Sequence, residues 1–309
     1  MLARSLVLFL GFATLATGTA QAYVREVTKS GVPVAWHYPC QTMHIYLGSP
    51  PPVLKADAFS SASVQAAAAW SYPALACTDI RLAMVLESAP TADVGQDNKN
   101  VIVFRQDTWC LQPTPVDDAG VPQPECFPSS ALAITSLFKN SKTGEILDAD
   151  IQFNAVDYSW GDLVGQPALA ISGTADFQNA LTHELGHVIG LDHNCYAETD
   201  LQDRLNDNTG APEADCPPTP SGAIGEATMY PSVNLSDTTR RTLTADDEQG
   251  ICEIYPHVHD ACPALAADGG CIVVATTKPD RGRTALLSSA MGCLGILALV
   301  LLRRRRKVE

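Results

Sequence analysis

Three histidines and one glutamate fall within eleven residues of the chain: His183, Glu184, His187 and His193. On a helix, residues four apart are neighbours on one face, so His183 and His187 would point the same way. Two imidazoles placed like this can share one tetrahedral zinc ion. Glu184 lies beside that face, where its carboxylate could take a proton from a metal-bound water. The spacing therefore predicts a hydrolytic metal centre.

A glycine lies between the second and third histidines. Gly190 can adopt backbone conformations closed to residues with a Cβ, so the chain can turn sharply where the helix ends. The turn would bring His193 back as a third ligand, and three neutral imidazoles leave the fourth position for water. This open arrangement is typical of catalytic zinc. The alternative is a chance match on a core helix, and the presence of Gly190 and His193 argues against it.

The spacing H-E-x-x-H-x-x-G-x-x-H is the metzincin motif, and the chain resembles that family over roughly residues 30–256. Residues 227–231 resemble its methionine turn, which would put Met229 under the metal as a hydrophobic base. Within the family the chain is most similar to the matrixins: residues 132–135 resemble their edge strand and 243–251 the start of their last helix. The resemblance implies an α+β zincin fold. That fold has a twisted, mostly parallel sheet with an antiparallel edge strand, three main helices, and an active-site cleft between upper and lower subdomains.

The resemblance also implies a reaction, the hydrolysis of peptide bonds in protein or peptide substrates by a zinc metalloendopeptidase. Zinc on the three histidines would polarise the scissile carbonyl, and Glu184 would be the general base. Residues expected to contact substrate are Ala133, Pro231, Ser232 and Val233. We expect the protein to be a monomer.

The number of metal ions expected follows from comparing the histidines and aspartates of the chain with those of matrixins. No histidine occurs between His44 and His183, so the histidine-rich segment that binds a structural zinc in matrixins is missing, and we expect one zinc. Asp148, Asp150 and Asp157 fit either a calcium site or a solvated hairpin face. The other histidines (His37, His44, His257 and His259) lack ligand spacing to the motif and are expected to be surface or packing residues.

Two rival functions stay open. One is a zinc-binding surface protein without peptidase activity, such as an adhesin on a metzincin scaffold, which would have no need of Glu184. The other is an enzyme of a different metzincin subfamily. The long polar insertion between His193 and Met229 bears on that choice, because it borders the site and is longer than is usual in matrixins.

The elements that must position these residues follow from hydrophobic periodicity and turn residues. Helices are predicted over 53–70, 176–189 and 245–254, the second capped near Thr174 or Asp176 and the last by Thr244. Strands are predicted over 79–86, 101–105, 131–138 and 146–153, with strand-like patches in 34–47. In 146–153 polar and apolar residues alternate, which predicts that the polar face of this strand meets solvent.

Both ends of the sequence read as targeting segments. Residues 1–22 predict a signal peptide, with Arg4, an apolar stretch and an Ala-Gln-Ala cleavage site; an N-terminal membrane anchor is the alternative. Residues 23–256 would then be the catalytic domain and 257–284 a linker. Residues 285–302 carry no charge and precede five basic residues, so 285–309 predict a transmembrane tail.

The tail resembles the myxobacterial C-terminal sorting tail, in which a cysteine, here Cys293, marks the processing or anchoring point. The resemblance implies a sorting protease as a partner and delivery to the cell surface, the outer membrane or the medium. A plain membrane anchor is the alternative.

Composition excludes some functions and sets the compartment. A net charge of −14 argues against a nucleic-acid binder, because phosphate-backbone binding needs a basic face. Ten cysteines in an exported chain predict disulfides. By proximity along the chain we expect the pairs Cys40–Cys77, Cys110–Cys126 and Cys195–Cys216, and a fourth between two of Cys252, Cys262 and Cys271.

Overall fold

The structure is a computed structural model that describes residues 23–51, 53–90, 92–111, 116, 120–197, 203–258, 262 and 271–273. The predicted signal peptide, the predicted tail and Cys293 lie outside the described residues, as does most of the predicted linker. Within the described part of the chain, no helix has both the length and the apolar character needed to cross a membrane.

A six-stranded mixed sheet forms the frame of the molecule. Its strands are β1 (Cys40–Tyr46), β2 (Arg81–Glu87), β3 (Val101–Arg105), β4 (Ala133–Lys139), β5 (Ile146–Asn154) and β8 (Cys271–Val273), in the order β4-β5-β3-β1-β2-β8. The four central strands are parallel, and β4 and β8 run antiparallel at the two edges. The predicted mostly parallel sheet with an antiparallel edge strand is confirmed. A small two-stranded sheet adds β6 (Trp160–Gly161) and β7 (Ala175–Asp176).

Few helices accompany the sheet. They are α1 (Ala56–Ala69), α2 (Phe177–Val188), the short α3 (Gly222–Glu226) and α4 (Ala245–Ile254), with 3-10 turns at Pro167–Ser172 and Thr239–Arg241. The three predicted helices are confirmed to within a few residues. Thr244 caps α4 in a capping box with Asp247, so the predicted cap is confirmed.

The core lies where α1 and α2 meet the sheet. Phe59 of α1 and Phe177 of α2 are fully buried, with ring centroids 5.0 Å apart. Trp70, just after α1, is also fully buried and donates its indole N–H to the carbonyl of Thr182, 2.7 Å away. Aromatic packing and this buried hydrogen bond fix α2 against α1, so the helix that carries the histidines is a core element.

The solvated face predicted for β5 is wrong. Asp148, Asp150 and Gln152 are each 0% exposed. The Asp148 carboxylate accepts hydrogen bonds from the N–H groups of Asp97 and Asn98, and Asp150 accepts from Gly95 and Val101. The two carboxylates therefore meet backbone donors of residues 95–101 instead of water, and the side-chain oxygen of Gln152 accepts a hydrogen bond from the Arg105 side chain.

The disulfide prediction is half right. Cys110–Cys126 and Cys195–Cys216 form as expected. Cys40 and Cys77 do not pair with each other: Cys40 bonds Cys262, and Cys77 bonds Cys252. Both bonds tie distant parts of the chain together, which proximity in the sequence could not indicate. Four disulfides are typical of a secreted or extracellular protein.

The chain beyond residue 256 also joins the sheet. Cys262 is bonded to the first residue of β1, and Cys271–Val273 pairs with β2. The boundary at 256 between catalytic domain and linker stays a prediction.

Candidate metal centre and its cleft

Helix α2 carries the first two histidines. Asp176 caps its N-terminus, accepting a hydrogen bond from the backbone N–H of Asn179 at 2.8 Å. The apolar side of the helix buries Leu181, Leu185 and Val188 completely in the core. Because the apolar face packs into the core, the opposite face, which carries His183 and His187 one turn apart, is turned toward the cleft. The apolar spacing in the sequence dictates this packing.

The turn after α2 requires glycine. Gly190 has φ +92°, and a Cβ there would lie 2.7 Å from the carbonyl oxygen of Val34. The carbonyl of Gly190 accepts a hydrogen bond from the N–H of Glu26 at 3.0 Å. These contacts dock the turn on the N-terminal segment and send the chain back toward the helix, where His193 joins the other two histidines.

The three imidazoles converge. Their ring centroids are 4.9, 5.0 and 5.4 Å apart, and one ring nitrogen of each lies within 4.8 Å of the others. Among the described residues, these three histidines form the group of ligating side chains that could hold a metal ion. The structure thus brings together the three ligands predicted from the sequence.

The hydrogen bonds of the rings fit a metal. Nδ1 of His183 lies 2.7 Å from the Thr228 carbonyl, and Nδ1 of His187 lies 2.9 Å from the Leu191 carbonyl. A carbonyl only accepts, so each Nδ1 carries the proton and each Nε2 presents a bare lone pair. The two Nε2 atoms face each other at 3.2 Å. Two lone pairs at that distance repel unless a proton or a metal ion lies between them.

The electrostatics point the same way. Burial, with the neighbouring His187 and His193 next in weight, lowers the pKa of His183 well below its ordinary value. Neutral imidazole is the form that ligates a metal, so the site favours the ligating state over the protonated one. The residues present therefore fit a divalent ion that takes nitrogen ligands, and zinc is the common one of this kind.

Glu184 is held beside the histidines by the edge strand. It is 7% exposed, and its Oε2 accepts a hydrogen bond from the hydroxyl of Thr135 on β4 at 2.6 Å. Burial raises the pKa of Glu184 to about 7, and the Thr135 hydrogen bond opposes that rise. A carboxyl group with a pKa near neutrality can both take up and release a proton during a reaction.

Met229 lies under the histidine helix. It is 3% exposed, and a Cβ on Gly186 would overlap its thioether sulfur, so the glycine allows this close approach. The turn is held from below by Asp247 at the start of α4, whose carboxylate accepts from the N–H groups of Thr228 and Met229. Thr228 in turn presents its carbonyl to His183, so the turn orients a ligand.

A cleft of about 1080 Å³ opens over the three histidines. One side is formed by β4, including Ala133, and the floor by α2. The opposite side consists of the chain after His193. The other predicted substrate contacts, Pro231, Ser232 and Val233, line that side. The structure therefore puts all four of these residues on the cleft.

The insertion that the sequence marks as unusual forms part of the same wall. Tyr196, Leu205, Glu213 and Cys216 line the cleft, so the insertion borders the site as expected. Tyr230 also belongs to this wall, and its hydroxyl donates to the carbonyl of Pro217 at 2.7 Å. The segment following the methionine turn is thus tied to the insertion.

Sequence reasoning missed three functional neighbours: Thr135, which holds Glu184; Asp247, which holds the methionine turn; and Arg240, a buried residue on the cleft wall. Thr135 lies two residues after Ala133 in β4, so strand periodicity would have put both on one face. Asp247 reads from the sequence only as a capping residue. Nothing in the local pattern around Arg240 indicates burial.

No family model and no curated protein matches the chain. Among solved structures it is similar to the one described as the structure of Myroilysin, with 15% identity over 77% of this chain and 92% of that chain, and a TM-score of 0.35. Similarity at this level carries no argument, so the candidate site rests on its own geometry.

Proposed function

We propose that this protein is a zinc-dependent endopeptidase with a matrixin-like metzincin active site. The observation that carries the proposal is the convergence of three imidazole nitrogens within 4.8 Å of one another beside the buried Glu184. The volume of the cleft, about 1080 Å³, supports a peptide chain as substrate. A single zinc is proposed, held by His183, His187 and His193.

A bound Zn²⁺ would lower the pKa of a water molecule and polarise the scissile carbonyl. Glu184 takes the proton of the attacking water and delivers it to the leaving amine. Thr135 fixes the carboxylate for this role by donating to Oε2, which leaves Oε1 to receive the proton. The carbonyls of Thr228 and Leu191 hold two imidazoles in the ligating tautomer.

Strand β4 supports a binding mode for the substrate. It is the last strand on its side of the sheet, so one row of its backbone N–H and C=O groups is not paired within the sheet. Residues 133–135 also line the cleft. An extended peptide can add to such an edge as a further strand, which aligns its carbonyl over the histidines whatever its sequence.

The decisive experiment separates metal binding from catalysis. Wild-type protein, Glu184→Ala and His187→Ala are assayed with casein and a quenched-fluorescence peptide library, and zinc is measured in each. We expect Glu184→Ala to keep about one zinc per chain and to lose activity by at least about 100-fold, the usual contribution of a general base. His187→Ala should lose both. Full activity in Glu184→Ala would refute the assigned base, and zinc binding without any cleavage by the wild type would favour the adhesin-like rival.

We also propose that the protein is exported as a monomer and held, at least transiently, at the cell surface by its C-terminal tail. The four disulfides support export. The role of Cys293 rests on the sequence of the tail. Replacing it by alanine should abolish processing or display at the surface, and unchanged display would favour a plain anchor. The calcium site has lost support, since backbone donors occupy Asp148 and Asp150.

A further inference from the structure

Arg240 is a buried cation on the wall of the cleft. It is 3% exposed, yet it lines the same cleft as His183 and Glu184. Its backbone N–H donates to the side-chain oxygen of Asn179, one turn before His183 on α2, at 2.7 Å. The guanidinium is thus positioned between α2 and the segment that follows the methionine turn.

The hydrogen-bonding capacity of this guanidinium is largely unused. Nη1 donates to the carbonyl of Tyr230 at 3.0 Å, and the group lies 5.3 Å from the centre of the Tyr230 ring. Nε is buried and has no hydrogen-bond partner among the described residues. An arginine has five N–H donors, and a buried one that leaves donors unpaired costs folding free energy.

Arg240 also lacks a counter-ion in the described part of the chain. Its sequence neighbour shows the usual arrangement, since Arg241 pairs with both Asp162 and Asp176. Two carboxylates influence Arg240 from a distance, but their oxygens serve other donors: Asp237 accepts from Thr239, and Asp247 accepts from Thr228, Met229 and Thr244. Burial lowers the pKa of Arg240, so the charge is held at a cost that a carboxylate would relieve.

We infer that Arg240 binds a carboxylate of the substrate, and that the enzyme prefers an aspartate or glutamate next to the scissile bond. This rests on the proposed peptidase function. The resemblance to matrixins implies the side, since Pro231, Ser232 and Val233 would form the wall of the pocket for the residue after the bond that is cut. Arg240 lines the same cleft and donates to the carbonyl of Tyr230, the residue before Pro231. An acidic side chain entering there meets unpaired guanidinium donors, whereas an apolar one leaves them unpaired.

The fork of N–H donors selects the class of ligand. A guanidinium matches the two oxygens of a carboxylate and binds them with charge-assisted hydrogen bonds. An amide side chain of the same shape has one acceptor oxygen and no charge. Glutamate and glutamine at one position therefore form a matched pair that differs in the feature Arg240 would read.

The test uses the full secreted chain with zinc. Cleavage of a proteome-derived peptide library first locates the preferred residues around the cut bond. Two quenched peptides that differ only by Glu or Gln after that bond are then compared in wild type, Arg240→Met and Lys142→Met. Lys142 is an exposed cation in the β4–β5 turn, away from the cleft, so its variant controls for the change in net charge.

We expect the wild type and Lys142→Met to cleave the Glu peptide about 10- to 100-fold more efficiently than the Gln peptide, as hydrogen bonds to a charged group predict. In Arg240→Met the ratio should fall to near one. The affinity of both peptides for the Glu184→Ala protein, measured by fluorescence anisotropy, should show the same preference without turnover.

The outcomes separate the two proposals. Cleavage of both peptides at equal rates by the wild type overturns the role of Arg240 and leaves the peptidase function intact. Absence of any cleavage by the zinc-loaded wild type overturns the peptidase function itself. If Arg240→Met does not fold, the wild-type ratio and the anisotropy measurement still decide the question, because neither depends on that variant.

Discussion

The two sides of the cleft are built differently. On one side, α2 and β4 are regular elements, and their repeats set the relative directions of His183 and His187 on the helix and of Ala133 and Thr135 on the strand. The other side, residues 194–243, is called the distal wall here, and its described residues (194–197 and 203–243) contain only the five-residue α3 and one 3-10 turn. Regular structure positions the groups proposed for chemistry except His193, which follows the turn at Gly190, while the surface proposed for substrate selection consists of irregular chain.

Irregular chain needs separate anchors, and the distal wall has several. The backbone N–H of Asn194 donates to the Met229 carbonyl at 3.1 Å, and its side chain donates to the carbonyl of Ile224 at 3.0 Å. The Cys195–Cys216 disulfide closes the insertion. Asp247 holds the methionine turn from below. A few buried polar contacts thus hold this wall in place, as periodic packing holds α2.

The largest effect is expected from removing Asp247, the anchor of the distal wall with the most backbone donors. Asp247→Ala leaves the buried N–H groups of Thr228 and Met229 and the partly buried N–H of Thr244 without an acceptor, so the free energy of unfolding should fall by about 3–5 kcal/mol. Denaturant titration measures this. Glu248→Ala, an exposed change on the same helical turn, is the control and should cost less than about 1 kcal/mol. Equal effects would show that the wall does not depend on Asp247.

The next effect is expected from removing the Cys195–Cys216 disulfide of the distal wall. Replacing Cys195 and Cys216 by serine should lower the free energy of unfolding by about 3 kcal/mol and raise KM, because the insertion lines the cleft. The matched control replaces Cys110 and Cys126, whose loop is of similar length but whose cysteines do not line the cleft. That variant should lose similar stability and keep its KM. A rise of KM in both variants would argue against a local role for the insertion.

Asp246 and Asp247 are neighbouring carboxylates below the distal wall that differ in their hydrogen bonds. Asp246 is buried, and its Oδ1 has no hydrogen-bond partner among the described residues. Burial, and then the charge of Asp247, raises the pKa of Asp246 from 3.8 to about 7. Because the folded state favours the protonated form, its stabilising contribution is complete below pH 4 and is lost as the pH rises through 7.

Asp246→Asn removes that loss. The variant should be more stable than the wild type by about 2 kcal/mol at pH 8, and the two should coincide below pH 4. Unfolding measured across this pH range tests the expectation. If the variant is less stable than the wild type at pH 8, the ionised Asp246 carboxylate has a partner and helps to hold the distal wall, as Asp247 does.

The smallest effect is expected on the regular side. Thr135→Val keeps the shape of the side chain and removes the hydrogen bond to Glu184, so kcat should fall about tenfold with zinc content unchanged. Thr135→Ser, which restores a hydroxyl, should recover most of the rate. Loss of activity in both variants would assign Thr135 a packing role instead of the positioning of Glu184.

Much of the regular side could be predicted from the sequence. The histidine spacing, the glycine after α2 and the bounds of β3 follow from local periodicity, and the structure has them as predicted. The prediction that the polar face of β5 meets solvent was wrong, because alternation indicates only that one face is polar. Whether Asp148 meets water or the backbone of another loop depends on where the 94–101 loop packs.

The cysteines show the same limit. Cys40 begins β1, while its partner Cys262 lies far along the chain, and no local signal connects them. The burial of Arg240 is likewise invisible in the sequence, because arginine is usually exposed and its neighbours form only a short 3-10 turn.

By itself, the sequence indicated the candidate ligands, since the repeat of a helix converts the spacing of His183 and His187 into a shared direction. It also determined the reversal at Gly190, because that turn requires a residue without a Cβ. Only the tertiary structure decided which carboxylates are buried, which cysteines meet, and that Thr135 and Arg240 border the cleft. The reason is physical: such contacts join segments far apart in the chain, and their energies depend on burial and on partners that no local pattern specifies.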